Sequence, residues 1–183
     1  MRIVWELINR LIEKWLRFYR KKVFESKTGC KEKTLKILGE VYLNIPVRKG
    51  NIKIGKNVII YPGVYFWGGG NIEIGNNVII GKDTIIYSAN SVSIGNDVNI
   101  AAQSYIIDMD HGMDKSKKIN EQKDTSAPIF IGNDVWIAAN CTILKGSKIH
   151  DGAIIGAKAL INGEIDAYGI AVGIPAKVIK YRE

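Results

Sequence analysis

His111 is one of two histidines in a chain of 183 residues, and it stands in the stretch IIDMDHGMDKSKKINEQKDTSAPIFIG, which runs from Ile106 to Gly132. An imidazole can both take and return a proton near neutral pH. A histidine set apart by its surroundings is therefore a candidate for general-base work on a hydroxyl. Two carboxylates, Asp108 and Asp110, stand just before it. A carboxylate beside a histidine can orient the ring and stabilise its cation, and Asp108 is assigned that part. The other reading keeps both as solvated turn carboxylates, with His111 bonded to nearby backbone at a corner.

The elements that must hold these residues are repeats. IGKNVI IYPGVY FWGGGN begins at Ile54, IGNNVI IGKDTI IYSANS at Ile74, and IGNDVN IAAQSY IIDMDH at Ile94. Each start follows the last by 20 residues, three hexads plus a two-residue insertion (Ile72-Glu73, Val92-Ser93). After His111 the rhythm breaks over residues 112–128, then returns without insertions as IGNDVW IAANCT ILKGSK from Ile131 and IHDGAI IGAKAL INGEID from Ile149. A period of six is not helical, and Val/Ile runs broken by Gly, Asn and Asp suit short strands joined by tight turns. Stacked coils build a continuous core that one repeat cannot bury. Three hexads per coil make a three-sided prism, and six or seven coils about 4.8 Å apart make a rod on the order of 30 Å tall. Asn and Gly at the corners fit left-handed backbone angles. His150 falls at a second hexad position, where Gly usually sits, and reads as a surface residue.

Residues 2–24 form an amphipathic helix by their spacing: Val4, Leu7, Ile8, Leu11, Ile12, Trp15, Phe18 and Tyr19 share one face, and Arg10, Lys14, Arg17 and Lys21 fall on another. Two uses are open. The helix packs on the prism or a neighbouring subunit and covers a sheet edge, or it lies on a membrane surface with its bases toward anionic head groups. Charge is concentrated here. Residues 1–50 carry 13 Lys/Arg against 5 Asp/Glu, while the remainder carries 13 of each. An anionic partner is therefore expected near the N-terminus, and nucleic acid along the body is not. The segment organisation expected is 1–26 for the helix and 27–183 for the repeat domain. Charges every few residues argue against a signal peptide or a conventional membrane span. Cys30 and Cys141, far apart and in no metal spacing, read as reduced thiols of a cytoplasmic protein.

The loop ending in APIFIG, then VWIAANCTILKG, IIGA and the terminal GIPAKVIK, resemble the hexapeptide-repeat acyltransferases. The likeness is to the galactoside, maltose and polysaccharide O-acetyltransferase branch, over roughly residues 40–180. It implies a mainly β chain, a left-handed parallel β-helix with an extruded loop, assembled as a homotrimer with sites between prisms. It implies acetyl-CoA as donor, no metal, and a saccharide acceptor, with His111 as catalytic base and Trp136 beside it. Ala139 would donate its backbone amide to the oxyanion. Gly156 and Ala157 would line the pantetheine arm, and Lys177 and Lys180 would meet the nucleotide phosphates. The acceptor expected is a bacterial surface polysaccharide or its lipid-linked precursor, at the inner face of the membrane if the helix binds there. Three departures stand out: Ala138 where the pattern has Gly, Lys145 where it has Pro, and Asn162-Gly163 in place of Thr-Lys.

Rival readings are a γ-class carbonic anhydrase, which needs three imidazoles on zinc where this chain has two, and a serine acetyltransferase, which carries a larger helical N-terminal domain. An antibiotic acetyltransferase of the same branch and a non-catalytic membrane-bound β-helix scaffold stay open.

Overall fold

The computed structural model describes residues 2–45 and 51–183. Met1 and residues 46–50, which the expected segments 1–26 and 27–183 include, lie outside the described residues. After a single long helix, α1 (Arg2–Thr28), the chain winds into a left-handed β-helix of about seven turns. Its three parallel sheets are called here faces A, B and C in the order each coil visits them. Strands of equivalent position stack in register: on face A, Ile59 pairs with Ile79, Ile79 with Asn99, Asn99 with Trp136, and Trp136 with Ile154.

The hexad rule maps onto the interior. Ile60, Phe66, Ile80, Ile86, Ile100, Ile106, Ile137, Ile143, Ile155 and Ile161 are all buried first-position residues. A fully buried aliphatic of this size contributes about 1.5–3 kcal/mol, so a column repeated coil by coil holds the stack together. The corners use the expected left-handed angles. Between faces C and A these fall on Asn57, Asn77, Asp97 and Asp134, and between A and B on Asp83, Gln103, Asn140 and Lys158.

The Gly-Asn pairs beside the first corner have a further cause. Asn76, Asn96 and Asn133 each accept, through Oδ1, the N–H of the equivalent residue one coil below, at 2.8 Å in every case. A Cβ on Gly75 or Gly95 would stand 2.5 or 2.6 Å from the next coil's carbonyl oxygen, so the glycine before each asparagine is sterically required.

Helix α1 runs four residues beyond the expected 2–24 and stops at Gly29, whose φ of 77° supplies the left-handed residue after a helix. Its contact with the β-helix is made at its C-terminal end. Phe24 is 2% exposed and meets Phe66 edge-on, with ring centroids 6.2 Å apart, so it plugs the open end of the prism. At 3.6 residues per turn Phe24 lies about 180° around the helix from the apolar stripe. The stripe itself is left uncovered: Val4, Leu7, Leu11, Trp15 and Phe18 are each more than half exposed. Capping and the apolar stripe thus occupy opposite sides of one helix.

Candidate functional site

Loop 112–128 grows from the corner between faces B and C. The chain leaves face B through Tyr105–Ile107 and pairs Met109–Asp110 antiparallel with the returning Thr125–Ser126. It rejoins face C at Ile129–Ile131, in register on Val92–Ile94. A coil can eject such a loop because the strands above and below still pair, and entropy charges lengthening only about 0.6 kcal/mol per doubling.

His111 emerges from the ribbon, and its Nδ1 lies 2.7 Å from Asp124 Oδ1 on the returning leg. In the neutral ring a nitrogen facing a carboxylate oxygen carries the proton, which leaves Nε2 as a lone-pair acceptor pointing away from the pair. That is the tautomer a general base needs. The side chains are 69% and 51% exposed in the single chain, so the pair is open to a substrate.

The carboxylate that meets the His111 ring is Asp124, and Asp108, expected in that place, lies elsewhere. Asp108 is fully buried, accepting from the Ala89 and Asn90 amides at 2.6 and 2.8 Å and contacting Ser88 Oγ at 3.1 Å. The cause is strand alternation: Tyr105 and Ile107 face outward, Ile106 and Asp108 inward. Asp108 ties the root of the loop to the corner below. Asp110 is not a free turn carboxylate either, since Lys145 Nζ sits 3.1 Å from its Oδ2.

The donor-side candidates gather elsewhere. Trp136 projects from face A, half exposed. Ala139 lies at the corner from A to B, beside Asn140 with φ 60°. Its carbonyl accepts the Lys158 amide at 2.9 Å, and its own N–H takes no partner among the described residues. Gly156 and Ala157 occupy the same corner one coil higher. A Cβ on Gly156 would come within 2.6 Å of Val172 Cγ1. Beneath them Cys141 Sγ donates to the Gly156 carbonyl at 3.2 Å, and burial pushes its thiol up, so it stays protonated and inert. Lys177 and Lys180 are exposed on the last strand, Ala176–Tyr181, which folds back antiparallel along face A opposite Val172 and Ile170. Six candidates thus form one strip along face A and its B-side edge.

This strip and His111 do not meet in one chain. The corner between B and C is the vertex opposite face A, so Trp136 and His111 of one chain lie on opposite sides of the prism. His150 pairs with Glu164 at 2.5 Å on face C, which holds that carboxyl below its usual range, as expected for a surface histidine. Asp124 and Lys145 are the residues that sequence reasoning missed. Among the described residues no three His, Cys, Asp or Glu side chains cluster as a metal site requires.

Comparison with known proteins agrees with this architecture. The family described as bacterial transferase hexapeptide (six repeats) matches residues 128–163. A probable acetyltransferase of Mycobacterium tuberculosis is 42% identical over 80 residues, 43% of this chain and 27% of its own length. The putative lipopolysaccharide biosynthesis O-acetyl transferase WbbJ of Escherichia coli is 35% identical over 89 residues, 44% of this chain and 45% of its own. The chain thus spans less than half the length of either relative. Among solved structures, AntD, an N-acyltransferase from Bacillus cereus in complex with dTDP and 3-hydroxybutyryl-CoA, superposes with a TM-score of 0.76. That match covers 89% of this chain and 88% of AntD at 20% identity, and so speaks for the fold. In its coils and in the repeat match over 128–163, the chain is similar to the bacterial transferase hexapeptide family.

Proposed function

We propose that the protein transfers an acetyl group from acetyl-CoA to a saccharide hydroxyl, with His111 as general base, in clefts between the prisms of a homotrimer. The observation that carries this reading is the His111–Asp124 pair, in which Nδ1 meets the carboxylate and Nε2 faces away from it, at the mouth of an ejected loop. In the reaction Nε2 takes the hydroxyl proton as the acceptor oxygen attacks the thioester carbonyl, while Asp124 stabilises the imidazolium. The oxyanion of the tetrahedral intermediate is met by the Ala139 amide. Collapse breaks the carbon–sulfur bond, and the imidazolium returns its proton to the leaving thiolate. Ester and CoA are the products, with no covalent enzyme intermediate. Gly156 and Ala157 keep the corner low for the pantetheine arm, and Lys177 and Lys180 offer cations to the phosphates. The relatives named as acetyltransferases support acetyl transfer, and WbbJ, named for lipopolysaccharide biosynthesis, supports a sugar of a surface polysaccharide as acceptor.

The test combines calorimetric titration of the purified protein with acetyl-CoA and thiol release in the presence of glucose, galactose, N-acetylglucosamine and maltose. Saturable binding near one site per subunit, with sugar-dependent release abolished in His111→Ala, is the expected result. No binding at millimolar acetyl-CoA with the trimer intact would favour a scaffold instead.

The protein also docks on anionic membrane surfaces through α1, in this reading, which places a lipid-linked acceptor within reach. Support comes from the eight-residue stripe Val4 to Tyr19, unused by the fold, with Arg10, Lys14 and Arg17 on the adjoining side. No helix among the described residues is long and apolar enough to cross a membrane, so the contact is peripheral. A deletion of residues 1–18 that retains Phe24 is expected to lose sedimentation with phosphatidylglycerol vesicles and to keep acetyl-CoA binding. Equal sedimentation of both forms would end the membrane proposal.

A further inference from the structure

We infer that Lys145 is a positioning residue of the acceptor site: its ammonium clamps the two legs of the ejected loop and thereby sets His111 against Asp124. The inference rests on the reading of His111 as the base. Lys145 Nζ lies 3.1 Å from Asp110 Oδ2 and donates to Thr125 Oγ1 at 2.6 Å. Asp110 and Thr125 are register partners in the loop's ribbon. His111 directly follows the first and Asp124 directly precedes the second. One cation therefore holds the two residues adjoining both members of the pair.

The ribbon needs such a clamp. It has only two residue pairs, Met109 with Ser126 and Asp110 with Thr125, and an isolated two-stranded ribbon that short does not hold itself together. Its outer leg contributes no core, since Thr125 and Ser126 are both exposed. Lys145 reaches it from the turn one coil above, and the same turn holds the returning leg through its backbone: Gly146 N–H donates to the Ala127 carbonyl at 3.2 Å. The Lys145 and Asp110 side chains are 28% and 33% exposed, which shields the pair from the screening that makes open surface ion pairs nearly neutral. Proline, the residue of the resembled pattern at this position, has no ammonium and could make neither contact. The clamp belongs to this chain's own sequence.

The experiment reads the ring directly and needs no acceptor. Long-range proton–nitrogen spectra of the imidazoles are recorded for the full-length protein, with His111 identified by its loss in His111→Ala. Trypsin cleavage at Lys115, Lys117, Lys118 and Lys123 reports the loop itself. In the wild type the ring is expected in the Nδ1-protonated form and the loop is cut slowly. In Lys145→Met the ring signals move toward the tautomer average of a free histidine, and loop cleavage rises about tenfold, the scale of one charge-assisted contact. Lys145→Arg restores both. Asp110→Asn reproduces the loss with the lysine in place, which covers the case in which Lys145→Met fails to fold. Unchanged ring signals and cleavage in folded Lys145→Met overturn the clamp. If the clamp variants disorder the ring but His111→Ala retains sugar-dependent thiol release, the clamp stands and the catalytic reading of His111 falls.

Discussion

At the scale of single residues, the question is which carboxylate serves the histidine. Asp124 touches Nδ1, while Asp108 holds backbone amides of the coil below. The two substitutions should therefore fail differently. Asp124→Asn keeps the shape but removes the charge that fixes the tautomer. A hydrogen bond to a charged group contributes about 1.5–3 kcal/mol, so kcat should fall roughly 10- to 100-fold with the acetyl-CoA KM unchanged. Asp108→Ala should instead lower stability by about 2–4 kcal/mol, because it leaves the Ala89 and Asn90 amides and the Ser88 hydroxyl without their acceptor. Steady-state kinetics and denaturant unfolding on the two variants separate these roles. Asp108 could have been placed from sequence, because the alternation that buries Ile106 also buries the residue two positions on. Asp124 could not: it lies 13 residues away in a stretch without period, and only the return of the loop brings it to the ring.

At the scale of elements, the prism was legible because a physical repeat produces it. Each buried hexad isoleucine rests on its counterpart one coil away, so the spacing of the sequence is the spacing of the core. The helix was half legible. Its apolar stripe is plain at three- and four-residue spacing, but the residue that attaches it to the fold, Phe24, stands on the other side, where the pattern reads as the charged face. Periodicity reports how apolar residues cluster and cannot tell which cluster the protein itself uses. Phe24→Ala should open the end of the prism beside Phe66 and cost about 3–5 kcal/mol, as for other buried aromatics. Trp15→Ala, on the stripe, should leave unfolding within about 0.5 kcal/mol of wild type, as for surface substitutions in general. Comparable losses in the two variants, measured by urea unfolding, would show that the stripe is also packed in the assembled protein.

At the scale of the whole molecule, the arrangement of the faces decides how a site can be assembled. His111 leaves the prism at the vertex between faces B and C, and the strip of Trp136, Ala139, Gly156, Lys177 and Lys180 follows face A and its B-side edge. A single rigid prism cannot bring a vertex onto its opposite face, so a transferase built from both sets needs the loop of one subunit and the strip of the next. This leads to a complementation experiment. His111→Ala chains keep the strip and lack the base; Lys177→Glu/Lys180→Glu chains keep the base and repel the phosphates of CoA. Each homotrimer should be inactive. When the two are co-expressed under different tags and mixed trimers are isolated, a site is complete wherever an intact loop meets an intact strip, which in a random one-to-one mixture is about a quarter of the sites. Sites contained within one chain would give mixed trimers no more active than their parents, because every chain carries one lesion. Recovery near that fraction would place the chemistry between subunits, and it would explain why the exposed His111–Asp124 pair faces open solvent when the chain is alone.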